Sequence, residues 1–137
     1  RSAKHRYARP RPFLVKEGPI CIAREQWLID QGAYPSGHAA TGWTWGLILS
    51  ELAPDRAEAL MSRARSFGES RVVCGVHYVS DIEAGRDVAA ATLARLHSDP
   101  VFKADLDTAR AELAAARAST PAPTSCAARD ALDAPAF

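Results

Sequence analysis

Apolar residues along this chain recur at helical spacing. In "PDRAEALMSRARSFGESR", residues 54–71, Ala57, Leu60, Met61, Ala64 and Phe67 fall three or four apart, and Pro54 supplies a helix start. In "HYVSDIEAGRDVAAATLARLHS", residues 77–98, Ile82, Ala89, Leu93 and Leu96 share one side. The following "DPVFKADLDTARAELAAARAS" opens with Asp99 and Pro100 as a start signal and is rich in Ala and Leu. A shorter amphipathic piece lies in "REQWLID", residues 24–30. The pattern predicts an all-α helical bundle without internal repeats.

One segment departs from the striped pattern. Residues 39–49 are apolar on every side, with Trp43, Trp45, Leu47, Ile48 and Leu49 covering the helix circumference. A helix of that kind belongs at the centre of a bundle. The surrounding amphipathic helices are few and some are short, and small domains bury only about 60–70% of their unfolded surface. The expectation is that upstream helices are missing, or that a partner such as a second copy covers the exposed face. The same segment contains Thr41 and Thr44 and stops before Glu51. It falls well short of the ~20 residues needed to span a membrane, so no membrane partner is expected.

Length and charge narrow the function classes. The 137 residues fit one domain, expected over residues 1–118, followed by a loosely ordered Pro- and Ala-rich tail over residues 119–137. A net charge of +1 argues against a dedicated nucleic-acid binder. The chain opens with Arg1 and carries no basic stretch followed by an apolar one, so a signal peptide is absent or already removed. Cys21, Cys74 and Cys126 are too few and too irregular for a disulfide framework, although one bridge would fit an oxidising compartment. Cys74, inside the apolar "RVVCGV", reads as structural.

Polar residues that a bland bundle would not need fall into three groups. Lys4 is followed after six residues by Arg11 and Pro12; Pro35, Ser36, Gly37 and His38 come next, inside "DQGAYPSGHAATGW"; Ser70, Arg71, His77 and Asp81 lie in "SRVVCGVHYVSDIEAGR". Together they match Lys-x6-Arg-Pro, Pro-Ser-Gly-His and Ser-Arg-x5-His-x3-Asp. This three-part signature resembles that of the acid phosphatase and vanadium haloperoxidase superfamily, which includes the type 2 phosphatidic acid phosphatases. The surrounding residues look most like bacterial class A non-specific acid phosphatases, with Ala33 and Ala39 standing where those carry Ser and Thr. The resemblance spans Lys4 to about Leu96. It implies an acid phosphatase that hydrolyses phosphomonoesters without a metal or other cofactor, exported to the periplasm or secreted. It assigns His77 as the nucleophile that becomes phosphohistidine and His38 as the acid that protonates the leaving oxygen. It also implies a helical segment ahead of the first motif.

The residue types suit that chemistry on physical grounds. Phosphoryl transfer spreads charge over three equatorial oxygens, which fixed donors must hold. Lys4, Arg11 and Arg71 supply three positive charges, and Ser36 with the Gly37 amide adds donors at a helix N-terminus. Gly37 would let the backbone come close. Asp81, four residues after His77 and on the same helical face, would accept the Nδ1 proton and leave Nε2 free to attack.

Other readings of the same residues exist. Arg1, Lys4, Arg6, Arg9 and Arg11 could form a basic tail for nucleic acid or anionic lipid. Ser36 could be an N-cap, or a covalent nucleophile beside His38. His77, Asp81 and His38 could bind zinc, although three nearby cations would repel it. His5 and His97 read as surface residues, and Arg86 as an ion-pair partner of Asp81 or Glu83. At the level of the whole chain, the competing functions are vanadate-dependent halide oxidation and a non-catalytic phosphate-binding fragment.

Overall fold

A computed structural model describes residues 2–119 of the chain. Among them the regular structure is entirely helical: α1 (Ser2–Tyr7), α2 (Pro12–Val15), α3 (Gln26–Asp30), α4 (Gly37–Leu52), a 3-10 turn (Pro54–Arg56), α5 (Ala57–Val73), α6 (Val79–Leu96) and α7 (Pro100–Ser119). This is the expected all-α class. Most of the expected tail lies outside the described residues; its first residue, Ser119, is the last of α7.

The apolar helix α4 is indeed the hub, packing chiefly on α5 and α6. It makes these contacts through small residues. Among its own residues only Ala39 and Gly46 are buried, and a Cβ built on Gly46 would stand 2.5 Å from the Ala64 Cβ of α5. Gly68 of α5 meets Ala39 and Ile82, and Gly85 of α6 meets the Ser36 carbonyl and Ala39. Glycine at these points lets the helix backbones approach to distances that a larger side chain would forbid. The close packing is one-sided, however. Trp45, which the all-round apolar pattern placed in the centre, is 65% exposed.

A second apolar cluster lies outside the helix bundle. Phe13, Leu28, Cys74 and Val76 are buried together, with Ile20 and Ile22 packed against them. Cys21 and Cys74 are joined by a disulfide across a sequence separation of 53 residues. The irregular segment between α2 and α4 is thereby fastened to the end of α5. There Gly75, at φ 75°, turns the chain out of the helix and toward His77.

Candidate active site

Four stretches of backbone converge on one cavity of about 440 Å³, lined by Lys4, Arg11, Gly37, His38, Arg71 and His77 together with Trp27, Leu28, Gln31, Thr41 and Phe67. The cationic and histidine residues of the three-part signature, Lys4, Arg11, His38, Arg71 and His77, therefore reach the same space. Ser36 sits directly beneath it as the α4 N-cap, fully buried, its Oγ accepting from the Ala39 amide at 3.2 Å. The next two amides, of Gly37 and His38, have no intrahelical acceptor by the geometry of a helix start. A Cβ on Gly37 would meet no atom within 4 Å. Packing within the protein does not demand glycine at this position, and the open space is the cavity that it lines.

Two of the three cations are held in place by backbone carbonyls. Lys4 Nζ donates to Gly32 O at 2.8 Å. Arg11, only 4% exposed, donates through Nε to Leu28 O at 2.8 Å and through Nη1 to Val76 O at 3.0 Å. Arg71 Nε is buried without a hydrogen-bond partner among the described residues. Burial and the charge of Arg11 push Lys4 below the ordinary lysine range. His38 is pushed down by burial first, then by Arg71, Arg11 and Lys4. Crowded like charges and an unpartnered donor beside an open cavity make a site suited to an anion.

His77 lies 3.2 Å through Nδ1 from Asp81 Oδ2 and 3.3 Å through Nε2 from Arg11 Nη1. A guanidinium can only donate, so Nε2 must be the accepting nitrogen and Nδ1 the protonated one. That is the tautomer the sequence reading required. Burial, with Arg11 next, lowers the His77 pKa to about 4, against the opposing effect of its hydrogen bond to Asp81. One detail of the reading is corrected. His77 is not on a helical face with Asp81, because α6 starts at Val79 and its N-cap Tyr78 is extended at φ −88°, ψ 159°. The pairing runs from a turn to the third residue of the helix, where Asp81 Oδ2 also accepts from the Tyr78 amide at 2.9 Å.

The ion pairs expected for Arg86 also differ. Its Nη2 bonds Glu69 Oε1 of α5 at 3.1 Å rather than Asp81 or Glu83, and its guanidinium lies 5.2 Å from the Trp43 ring centroid. The cation on Asp81 is Arg9, through Nη1 to Oδ1 at 2.8 Å. In the sequence Arg9 was one of several basic residues, with nothing to single it out. Phe67 and Trp27, which form apolar walls of the cavity, were also missed as site residues. Phe67 carried a usable signal, standing four residues before Arg71 and so on the same face of α5. Trp27 carried none. No group of three or more His, Cys, Asp or Glu side chains gathers as a metal site among the described residues.

This geometry agrees with the comparison to known families, in which the PAP2 superfamily profile matches residues 1–103. The chain belongs to the PAP2 superfamily. Within this superfamily it is similar to the acid phosphatase of Zymomonas mobilis, 45% identical over 122 residues, which are 88% of this chain and 46% of that protein. It is also similar to the non-specific acid phosphatases of Providencia stuartii, at 44% identity over 83% of this chain and 46% of the relative, and of Salmonella typhimurium, at 46% over 82% and 45%. This PAP2 chain thus spans about half the length of the curated relatives it matches.

Proposed function

We propose that this chain carries the reaction centre of an acid phosphatase that hydrolyses small phosphomonoesters through a phosphohistidine, without a metal. The observation that carries the reading is the state of His77. Its Nδ1–H is held by Asp81, and its Nε2 lone pair lies at a cavity walled by Lys4, Arg11, Arg71 and His38.

In the first half-reaction Arg11 Nη1 exchanges its bond to His77 Nε2 for one to a phosphoryl oxygen, the freed Nε2 lone pair attacks phosphorus, the ester P–O bond breaks, and His38 gives its proton to the departing oxygen. Asp81 stabilises the positive imidazole ring that results. In the second half-reaction water attacks phosphorus as His38 takes its proton, a new P–O bond forms, the P–N bond breaks, and His77 leaves with its lone pair restored. Lys4, Arg11, Arg71 and the amides at the start of α4 hold the equatorial oxygens throughout. Those three side chains supply the positive charge that a metal ion provides in other phosphatases. The Cys21–Cys74 disulfide supports an oxidising location, the periplasm or the cell exterior.

The test is rapid quenching during turnover of labelled substrate. Label should appear on His77 in a form stable to base and labile to acid, and EDTA should leave the rate unchanged. Alkali-labile label on Ser36 would reassign the nucleophile, and activity lost to EDTA and restored by zinc would refute the metal-free reading. His38→Ala should slow phosphorylation by alkyl phosphates by about 10²–10⁴-fold, and much less with p-nitrophenyl phosphate, whose leaving group departs without a proton.

A further inference from the structure

We propose that Arg9 is the positioning residue that fixes the Asp81 carboxylate, and through it the tautomer and aim of His77. The inference rests on the reading of His77 as the nucleophile. Asp81 is fully buried. Its Oδ2 serves His77 Nδ1 and the Tyr78 amide, and its Oδ1 is taken by Arg9 Nη1 at 2.8 Å. With partners on both oxygens the carboxylate cannot turn without breaking a charge-assisted bond.

Arg9 is itself oriented from several sides. The same Nη1 donates to Ser80 Oγ at 2.7 Å, and the guanidinium carbon lies 4.1 Å from the Tyr78 ring centroid. The Arg9 carbonyl accepts from the Ala33 amide at 2.8 Å. Just before it the chain turns through Ala8 at φ 43°, a left-handed conformation strained for a residue with a Cβ. Arg9 is not among the residues that line the cavity. Its guanidinium is engaged by Asp81, Ser80 and Tyr78, and its proposed effect on the reaction passes through Asp81. The groups facing His77 itself are Arg11, Lys4 and Asp81.

The test compares Arg9→Gln, Arg9→Lys, Asp81→Asn and the double variant Arg9→Gln/Asp81→Asn in the 137-residue chain. It measures kcat and KM for p-nitrophenyl phosphate, affinity for inorganic phosphate, and the ¹⁵N shifts of the His77 ring at neutral pH. Arg9→Gln should lower kcat roughly ten- to hundredfold, the size of one hydrogen bond to a charged group, while phosphate affinity holds. Its His77 shifts should move from the Nδ1–H tautomer toward a mixture. Arg9→Lys should recover most of kcat and retain the tautomer, because an ammonium reaches Oδ1 although it cannot stack on Tyr78. On the Asp81→Asn background the loss of Arg9 should lower kcat no further.

Full additivity in the double variant, or an unchanged tautomer in Arg9→Gln, would overturn the proposal. If Arg9→Gln does not fold, Arg9→Lys decides: a retained tautomer with near-parental kcat supports the proposal, and a mixed tautomer overturns it. Failure of both to fold would assign Arg9 to the fold alone and likewise overturn it. A parent chain without phosphatase activity would sink the functional reading, and the NMR measurement, which needs no turnover, would still decide the role of Arg9.

Discussion

Replacing Gly85 by alanine sets two effects against each other at one carbon atom. In an unencumbered helix the change is favourable by about 1 kcal/mol, because alanine is the better helix former. Within α6 the new Cβ would stand 2.6 Å from the Ser36 carbonyl oxygen and 3.1 Å from both the Ala39 Cβ and the Ala40 nitrogen. None of these atoms can rotate aside, and the Ser36 carbonyl is already engaged by the Ala40 amide at 3.1 Å. Ordinary contact begins near 3.4 Å, so the start of α4 must retreat by most of an ångström. Overpacking of this kind costs about 1–3 kcal/mol. After the helix-forming gain, a net loss of roughly 0–2 kcal/mol remains, lowering Tm by up to about 10 °C. The retreat carries Ser36, Gly37 and His38 away from His77 and Asp81, which stay with α6. A shift near 1 Å between reacting groups can slow a reaction by about 10²-fold. Gly37→Ala is the matched comparison: with open space around its Cβ it should melt at or above the parental temperature and lose phosphate affinity alone. Thermal melts and p-nitrophenyl phosphate kinetics on both variants check this. A Gly85→Ala protein with parental Tm and turnover would refute the argument that this close approach sets the site.

Further outcomes concern His77, His38, the disulfide and the exposed side of α4. His77, lowered to about 4 from an ordinary 6.5, should give kcat/KM an acid limb near pH 4. Stability to denaturant should fall as pH drops from 6.5 to about 4, because in that window only the unfolded chain takes up the proton. His38 is lowered in the empty site by burial and by Arg71, Arg11 and Lys4, and a bound phosphoryl group offsets those cations, so the alkaline limb of kcat should lie above that of kcat/KM; coincident limbs would contradict the assignment. Cys21→Ser should remove about 4 kcal/mol of stability, the loop-closure value for 53 residues, and an unchanged denaturant midpoint would show the bridge to be dispensable. The chain should associate with rising concentration through the side of α4 that leaves Trp45 65% exposed, and a single monomeric species by sedimentation up to high concentration would contradict this.

The sequence revealed most where chemistry restricts residue choice. Lys4, Arg11, Ser36, Gly37, His38, Arg71, His77 and Asp81 stood out because few residue types suit holding and transferring a phosphoryl group, the role proposed for them, and their spacing marks them together. Helices α5 and α6 were legible because packing on one side imposes a 3.6-residue period, and α7 through its Asp99-Pro100 start signal and its Ala and Leu content. What escaped was set by distances that no local pattern encodes. The pairing of Arg9 with Asp81 depends on a backbone turn at Ala8, and that of Arg86 with Glu69 on how α6 lies against α5. The Cys21–Cys74 bridge was open as one of several pairings among three cysteines. Uniform apolarity marked α4 as the hub but concealed which of its sides the other helices cover, because the close contacts are made by glycine and alanine rather than by the tryptophans.

The carbonyls that fasten Lys4 and Arg11 give these two side chains a double allegiance. Each bonds Gly32, Leu28 or Val76 in order to hold irregular chain in place, and each also faces the cavity. Arg71 and Gly37 have no such second duty: one has a guanidinium nitrogen without a partner, the other empty space beside it. Mutational tolerance should therefore divide this site unevenly. A change at Arg71 or Gly37 is felt in the proposed chemistry alone, whereas any change at Lys4 or Arg11 is judged twice, once by that chemistry and once by the loop.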